Sequence, residues 1–263
     1  MAQNRKQIKK YFIVTDVHGF YDEMKAALDK AGFDLTNPDH ILISLGDLLD
    51  RGRQPKECLE FVLGIPENRR ILIRGNHEDL MWEMVASGAI HSYDHSNGTV
   101  QTAMDLTGEK FPAIAIMELT LSTNLWWRYY DSTIDYAEIG DYVFVHGWVP
   151  LAYKVQMKLS ETPSLVLKDD WREGDWGEAR WYNGMFQWHD GLVPEGKTVV
   201  CGHWHTSWGH HFLNHDGDEF GDNAKFTPFV DEGIIALDAC TAYSGFCNCV
   251  VLEIEDENDR INS

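Results

Sequence analysis

Five short polar runs recur along the chain, each built around residues able to bind a cation. They are Asp16-Val17-His18-Gly19, Gly46-Asp47-Leu48-Leu49-Asp50-Arg51-Gly52, Gly75-Asn76-His77-Glu78, Val145-His146-Gly147 and Gly202-His203-Trp204-His205. An Asp-x-His pair just after a strand can aim one carboxylate and one imidazole at a single ion. A following aspartate can use its two oxygens to bridge two ions. The glycines allow the tight turns that such convergence requires. Taken singly, each run is more often a turn or a helix cap; only the set in this order points to one metal site.

Elements that would gather these runs are readable from periodicity. Lys10 to Thr15 reads as an apolar strand, followed by a turn and an amphipathic helix over Tyr21 to Ala31. The unit repeats: His40 to Leu45 as a strand, Pro55 to Leu63 as a helix with Pro near its start, Arg69 to Arg74 as a strand. Strands alternating with helices imply a parallel sheet, in which ligands collect beyond the carboxyl ends of the strands. The first three polar runs fall at such ends. Residues 77–130 read as a helical insertion or cap, with apolar spacing at Leu80, Met81, Met84 and Val85. Strand-like runs return at Thr133 to Glu138, Tyr142 to Val145, Thr198 to Cys201, Gly233 to Leu237 and Asn248 to Ile254, and this second half reads as the more antiparallel part. The expected fold is one α/β domain over residues 1–263, with two packed mixed sheets flanked by helices. Asp169 to Asp190 and Thr206 to Asp231 fit no element, and the latter reads as a long loop of the kind that is usually functional.

Composition narrows the partners. With 22 Lys+Arg against 42 Asp+Glu the formal charge is -20, which opposes binding to phosphate backbones and anionic lipids, so neither nucleic acid nor membrane is expected. A phosphorylated substrate would have to be drawn in by local positive charge, of which bound metal ions are the strongest source. There is no secretory h-region and no apolar run long enough to span a bilayer. Five cysteines, an odd number in a chain too large to need stapling, fit reduced thiols and a cytoplasmic location. Cys247 and Cys249 read as two thiols in the last strand rather than as half of a zinc site.

In order, the five runs resemble the calcineurin-like metallophosphoesterase superfamily. Gly-Asp-x-x-Asp-Arg-Gly with Gly-Asn-His-Glu is similar to its phosphoprotein phosphatase branch, including phage-type serine/threonine phosphatases and bacterial diadenosine tetraphosphatases. The resemblance implies that Asp16, His18 and Asp47 hold a first metal and that Asp47, Asn76, His146 and His203 hold a second. It implies a phosphate clamp at Arg51 and a catalytic imidazole at His77, with Asp50 its natural holder. The wider superfamily uses the second His of Gly-His-x-His on the first metal, which adds His205. A second phosphate-binding arginine is best matched by Arg180. The cofactor is then a pair of divalent ions, manganese first, with iron, zinc or nickel also suited to mixed oxygen and imidazole donors.

The implied chemistry is attack of a metal-bridging hydroxide in line with phosphorus, between ions about 3.5 to 4 Å apart. Phosphomonoesters are the expected substrates, with protein phosphoserine and phosphothreonine as one class. Dinucleoside polyphosphate hydrolysis is the alternative, which an aromatic groove wide enough for a base would favour. A binding module without turnover would lack a ligand or the acid, and here every position is filled. His210, His211 and His215 read as solvated loop residues, Asp238 as structural, and Trp204 as packing beside the site. The tryptophans between 171 and 188 read by default as a structural cluster, with a base platform as the functional rival.

Overall fold

The computed structural model describes residues 8–121, 124–154 and 164–255. The opening half alternates as periodicity predicts: β1 (Ile8–Val14), α1 (Tyr21–Ala31), β2 (His40–Ser44), α2 (Pro55–Gly64) and β3 (Arg70–Ile73). Five helices follow: α3 (Asn76–Ser87), α4 (Ser92–Asn97), α5 (Thr99–Thr107), α6 (Pro112–Leu121) and α7 (Leu125–Tyr130). The chain then enters β4 (Thr133–Ile134), β5 (Ala137–Ile139), β6 (Tyr142–Phe144), β7 (Leu151–Tyr153) and β8 (Leu165–Leu167). Short helices α8 (Trp176–Ala179) and α9 (Gly184–His189) precede β9 (Thr198–Cys201), and α10 (Thr206–Phe212) follows it. The described chain closes through β10 (Phe229–Asp231), β11 (Ile234–Ala236), α11 (Thr241–Ser244) and β12 (Val250–Glu255).

Two five-stranded mixed sheets form, in the orders β12-β1-β2-β3-β4 and β10-β11-β9-β6-β5. In the first, β1 to β4 are parallel and β12 runs against β1 at one edge. Residue alternation assigns the faces. Tyr11 and Ile13 pack with Ile41, Ile43, Ile71 and Ile73 against Phe144, Val200 and Ile235 of the second sheet, forming the core between sheets. Phe12 and Val14 point the other way, onto Met24 and Leu28 of α1 and Leu59 and Val62 of α2. The outer face of the second sheet, Val143, Val199 and Ile234, is covered by Trp148, Trp171 and Met185. The central strands are thus covered on both faces, which is why β1 and β2 read as continuous apolar runs rather than alternating ones.

The antiparallel pairs among the described residues all involve strands of the second half, as expected. Within the second sheet β6, β9 and β11 run parallel, and β5 and β10 oppose their neighbours. Strands of three or four residues are too short for their pattern to report direction. Three other expectations need correction. The run Thr133 to Glu138 is two strands, β4 in the first sheet and β5 in the second, so the chain crosses between sheets at Asp135 and Tyr136. The stretch read as a loop from Thr206 to Asp231 opens with α10 and ends on β10. Cys247 and Cys249 lie just before β12 rather than in it, and all five thiols are free.

Candidate metal centre and active site

Asp16 follows β1, Asp47 follows β2, Asn76 follows β3, His146 follows β6 and His203 follows β9, so both sheets deliver their donors from the carboxyl ends of parallel strands. The turns are stitched to one another by backbone bonds, His18 N–H to Asp47 O at 2.9 Å, Gly19 N–H to Leu48 O at 2.8 Å and Gly202 N–H to His146 O at 2.7 Å. Close approach fixes two glycines: a Cβ on Gly75 would collide with the Asp47 carboxylate, and one on Gly202 with Thr15 and Asp16. Of eight non-glycine residues in the left-handed backbone region among those described, six are Asp16, His18, Asp47, Asp50, Arg51 and His203. Such strain persists only where surrounding structure holds it, and it concentrates at functional sites.

Two buried donor groups share Asp47. His18, Asp47 and His77 each offer an atom within 4.8 Å of the others, as do Asp47, His146 and His203. His18 Nε2 lies 3.9 Å from Asp16 Oδ1 and 3.8 Å from Asp47 Oδ2, while His146 Nε2 lies 3.4 Å from Asp47 Oδ1. Asn76 Oδ1 sits 2.9 Å from His146 Nε2 and 3.0 Å from His203 Nδ1. Ligand atoms about 2.0–2.3 Å from one ion lie roughly 3 to 4 Å apart, so these separations fit two cation positions bridged by Asp47. Nδ1 of His18 and of His146 each donates to a backbone carbonyl, Leu49 at 3.0 Å and Leu45 at 2.7 Å, which directs Nε2 inward as a lone-pair donor. Asp16 is anchored through Oδ2 by the Thr15 hydroxyl at 2.6 Å and the His203 N–H at 2.9 Å, leaving Oδ1 towards His18.

Electrostatics agree that the cluster calls for positive charge. Burial disfavours a charged His146, yet the carboxylate of Asp47, with those of Asp16 and Glu78, outweighs it and holds the imidazole up at about 10. Burial, reinforced by His146, drives His203 down to about 3. Burial raises Asp16, whereas at Asp47 the neighbouring histidines overcome burial and keep the carboxyl well below its usual range. Oxygen and imidazole donors that compete for a single proton in a dry pocket suit divalent ions.

Beside these groups, His77 Nδ1–H donates to Asp50 Oδ2 at 2.7 Å. Burial works against the imidazolium, but Asp47 and the Asp50 hydrogen bond win, so the His77 pKa is raised. The Arg51 guanidinium spans the mouth, Nη1 2.9 Å from His18 Nε2 and Nη2 3.1 Å from His77 Nε2. Glu78, fully buried, accepts from the N–H groups of Gly75 at 2.8 Å, Asp47 at 2.9 Å and Leu48 at 3.0 Å, and from the Tyr129 hydroxyl at 3.1 Å. It therefore ties the Asp47 turn to the Gly75 turn.

Two expected residues stand elsewhere. His205 Nε2 lies 3.0 Å from Glu219 Oε1 and its ring is between Trp204 and Phe220, outside both donor groups. It is the residue before α10, and the start of that helix turns its side chain towards the following loop. Arg180 is buried but points at neither group: Nη1 bonds Asp79 Oδ2 at 2.7 Å, Nη2 pairs with Asp135 and Nε donates to the Arg74 carbonyl at 3.2 Å. Its donors are consumed where the chain crosses between sheets. His210 and His211 bond the carbonyls of Thr227 and Gly217 and pin the loop after α10. Asp238 caps the Cys240 N–H at 2.6 Å. Residues without any sequence signal complete the site: Thr15 on Asp16, and Thr99 and Thr102 of α5 on Asp50. An exposed aromatic rim borders it, with the Trp181 and Trp204 rings 5.9 and 6.0 Å from that of His203. Phe220 and Tyr243, 5.4 Å apart, extend the rim beyond His205.

Two mixed sheets face to face, with buried carboxylate, amide and imidazole donors gathered at their strand ends, define an α/β sandwich with a candidate metal centre. More narrowly, the chain belongs to the calcineurin-like phosphoesterase family, whose model matches residues 9–233. Two groups of buried aspartate and histidine side chains among the described residues could each hold a metal ion. It is 26% identical over 148 residues to the asymmetrical bis(5'-nucleosyl)-tetraphosphatase of Bacillus velezensis, a match covering 53% of this chain and 56% of that one. It is 46% identical over 67 residues to the serine/threonine-protein phosphatase PP1-delta of Caenorhabditis elegans, covering 24% and 21%. The chain thus spans about half the length of the first relative, 56%, and a fifth of the second, 21%. Among solved structures, the cold-active protein-tyrosine phosphatase of a psychrophilic Shewanella species superposes with a TM-score of 0.53 at 18% identity, covering 97% of this chain and 77% of that one.

Proposed function

We propose that the chain hydrolyses phosphomonoesters at a dinuclear centre held by Asp16, His18, Asp47, Asn76, His146 and His203. The observation that carries this is Asp47, whose two oxygens serve the two buried donor groups separately, Oδ2 towards His18 and Oδ1 towards His146. Two divalent ions there, manganese foremost, would supply charge against the phosphoryl oxygens and make a water acidic enough to attack at neutral pH. Arg51 presents a planar fork at the mouth, where two phosphoryl oxygens replace its contacts with His18 and His77. As the P–O ester bond breaks, His77 passes the proton on Nε2 to the departing oxygen, and Asp50 steadies the imidazolium through Nδ1. Five free thiols fit a reducing, cytoplasmic setting.

A second reading, dinucleoside polyphosphate hydrolysis, is favoured by the rim of Trp181, Trp204, Phe220 and Tyr243, which offers neutral ring faces beside His203 on an otherwise acidic chain. Turnover of p-nitrophenyl phosphate, diadenosine tetraphosphate and a phosphoserine peptide, each with manganese and with chelator, tests both. A manganese-dependent rate on p-nitrophenyl phosphate supports the proposal, and the better of the other two substrates assigns the class. No metal-dependent rate on any of the three would overturn it.

A further inference from the structure

We infer that Thr99 and Thr102, in the first turn of α5, are positioning residues for the Asp50–His77 pair, so that the helical block is a working part of the active site. The inference rests on the proposal that His77 is the acid for the leaving group. Asp50 Oδ2 accepts from His77 Nδ1 at 2.7 Å and from the Thr99 hydroxyl at 2.8 Å, and its Oδ1 accepts from the Thr102 hydroxyl at 2.8 Å. Thr102 Oγ1 in turn accepts the Asp50 backbone N–H at 3.1 Å. The link is therefore reciprocal and grips both ends of the residue. Asp50, Thr99 and Thr102 are all at most 1% exposed, so water cannot stand in for either hydroxyl.

Asp50 also needs holding. Its backbone lies in the left-handed region at φ 73°, a conformation disfavoured for a residue with a Cβ. The N-terminus of α5 is pressed onto the same turn: a Cβ on Gly98 would strike the Arg51 backbone nitrogen. With the hydroxyls in place, the carboxylate has one orientation and presents one oxygen to His77. Without them it is free to rotate about its last torsion, and His77 Nε2 loses the direction set from behind. The helix block thus acts on the reaction through Asp50 and touches no substrate.

The test measures kcat and KM for Thr99→Val/Thr102→Val, Thr99→Ser/Thr102→Ser and His77→Ala on an alkyl phosphate and on 2,4-dinitrophenyl phosphate. Valine keeps the shape and removes the hydroxyl; serine restores it. The double valine variant should lose roughly 10- to 100-fold in kcat on the alkyl ester, whose leaving group needs a proton, and under about threefold on the activated one. KM should stay within about twofold, and the serine pair should recover most of the rate. Should the double variant fail to fold, either single valine variant carries the same comparison with a smaller effect. If His77→Ala shows no leaving-group dependence, the assignment of the acid is wrong, whatever the threonines do. If His77→Ala shows it and the valine variants lose equally on both esters, or lose nothing, the positioning role is overturned.

Discussion

Glu78→Gln is the substitution whose cost follows most directly from the structure. The two carboxylate oxygens accept four donors, three of them backbone N–H groups from Gly75, Asp47 and Leu48. Burial, with the charge of Asp47 behind it, pushes the Glu78 carboxyl upward in pKa, and the backbone donors pull the other way. With four donors facing it, the ionised form is the one that satisfies every partner. Glutamine keeps the shape but turns one oxygen into an NH2 group, which leaves at least one backbone N–H facing a donor. A buried donor left unsatisfied costs about 1–3 kcal/mol, and bonds to a charged acceptor are about twice as strong as neutral ones. Relief of carboxylate burial offsets part of this, for a net loss of about 2–4 kcal/mol. For a chain of this size, that is a fall in Tm of about 5–10 °C. Chemical denaturation in chelator isolates the fold from metal binding, and Tyr129→Phe, which removes a single donor, should cost about 1 kcal/mol on the same scale. A Glu78→Gln variant within about 0.5 kcal/mol of the parent would refute the claim that this carboxylate pins the Asp47 turn to the Gly75 turn.

Other consequences are independent of Glu78. Arg180→Met should act on stability, because it strands the Asp79 and Asp135 carboxylates where the chain changes sheets. Breaking a fully buried pair costs about 3–5 kcal/mol, and the partial exposure of both acids reduces that to about 2–3 kcal/mol. A tenfold rise in KM for an aryl phosphate at unchanged stability would instead restore Arg180 as a phosphate ligand. Glu138 is held below its ordinary pKa chiefly by the Arg172 hydrogen bonds at 2.5 and 2.9 Å. A carboxyl depressed in the folded state adds stability above its unfolded pKa, about 4.5, and loses it as pH falls through the lower folded value. Arg172→Met should therefore be most destabilised at neutral pH and converge on the parent in acid, as read by urea denaturation across pH; parallel curves would contradict it. Saturating manganese should stabilise the fold by about 2.7 kcal/mol for each bound ion when free metal is a hundredfold above Kd, read as a higher urea midpoint, and chelator should reverse it. An unchanged midpoint would mean that the donors do not bind the ion in the folded state.

The first sheet was readable in the sequence because β1, β2 and β3 are separated by helices with clear periodicity, and each ends in a polar run. The donor turns came with them, since Asp16, Asp47 and Asn76 sit where those strands stop. The second sheet was less readable: β6, β9 and β11 are three or four residues long, and nothing in so short a run reports which neighbour it joins. Residues that act through space were invisible. Thr99 and Thr102 lie 49 and 52 positions from Asp50, in a helical block with no motif, and their role exists only once α5 docks. Arg180 and His205 failed for the converse reason. Their types and local spacing suit the site, but Asp79, Asp135 and Glu219, acids distant or unremarkable in sequence, claim them first.

The most direct measurement is electron paramagnetic resonance of the chain titrated with manganese, beside Asp47→Asn. If one carboxylate joins two neighbouring cation positions, the parent should take up two ions and give the signal of an exchange-coupled pair, and the variant should lose the coupling. A parent that saturates at one ion, or at two with the spectra of isolated ions, would contradict the shared site.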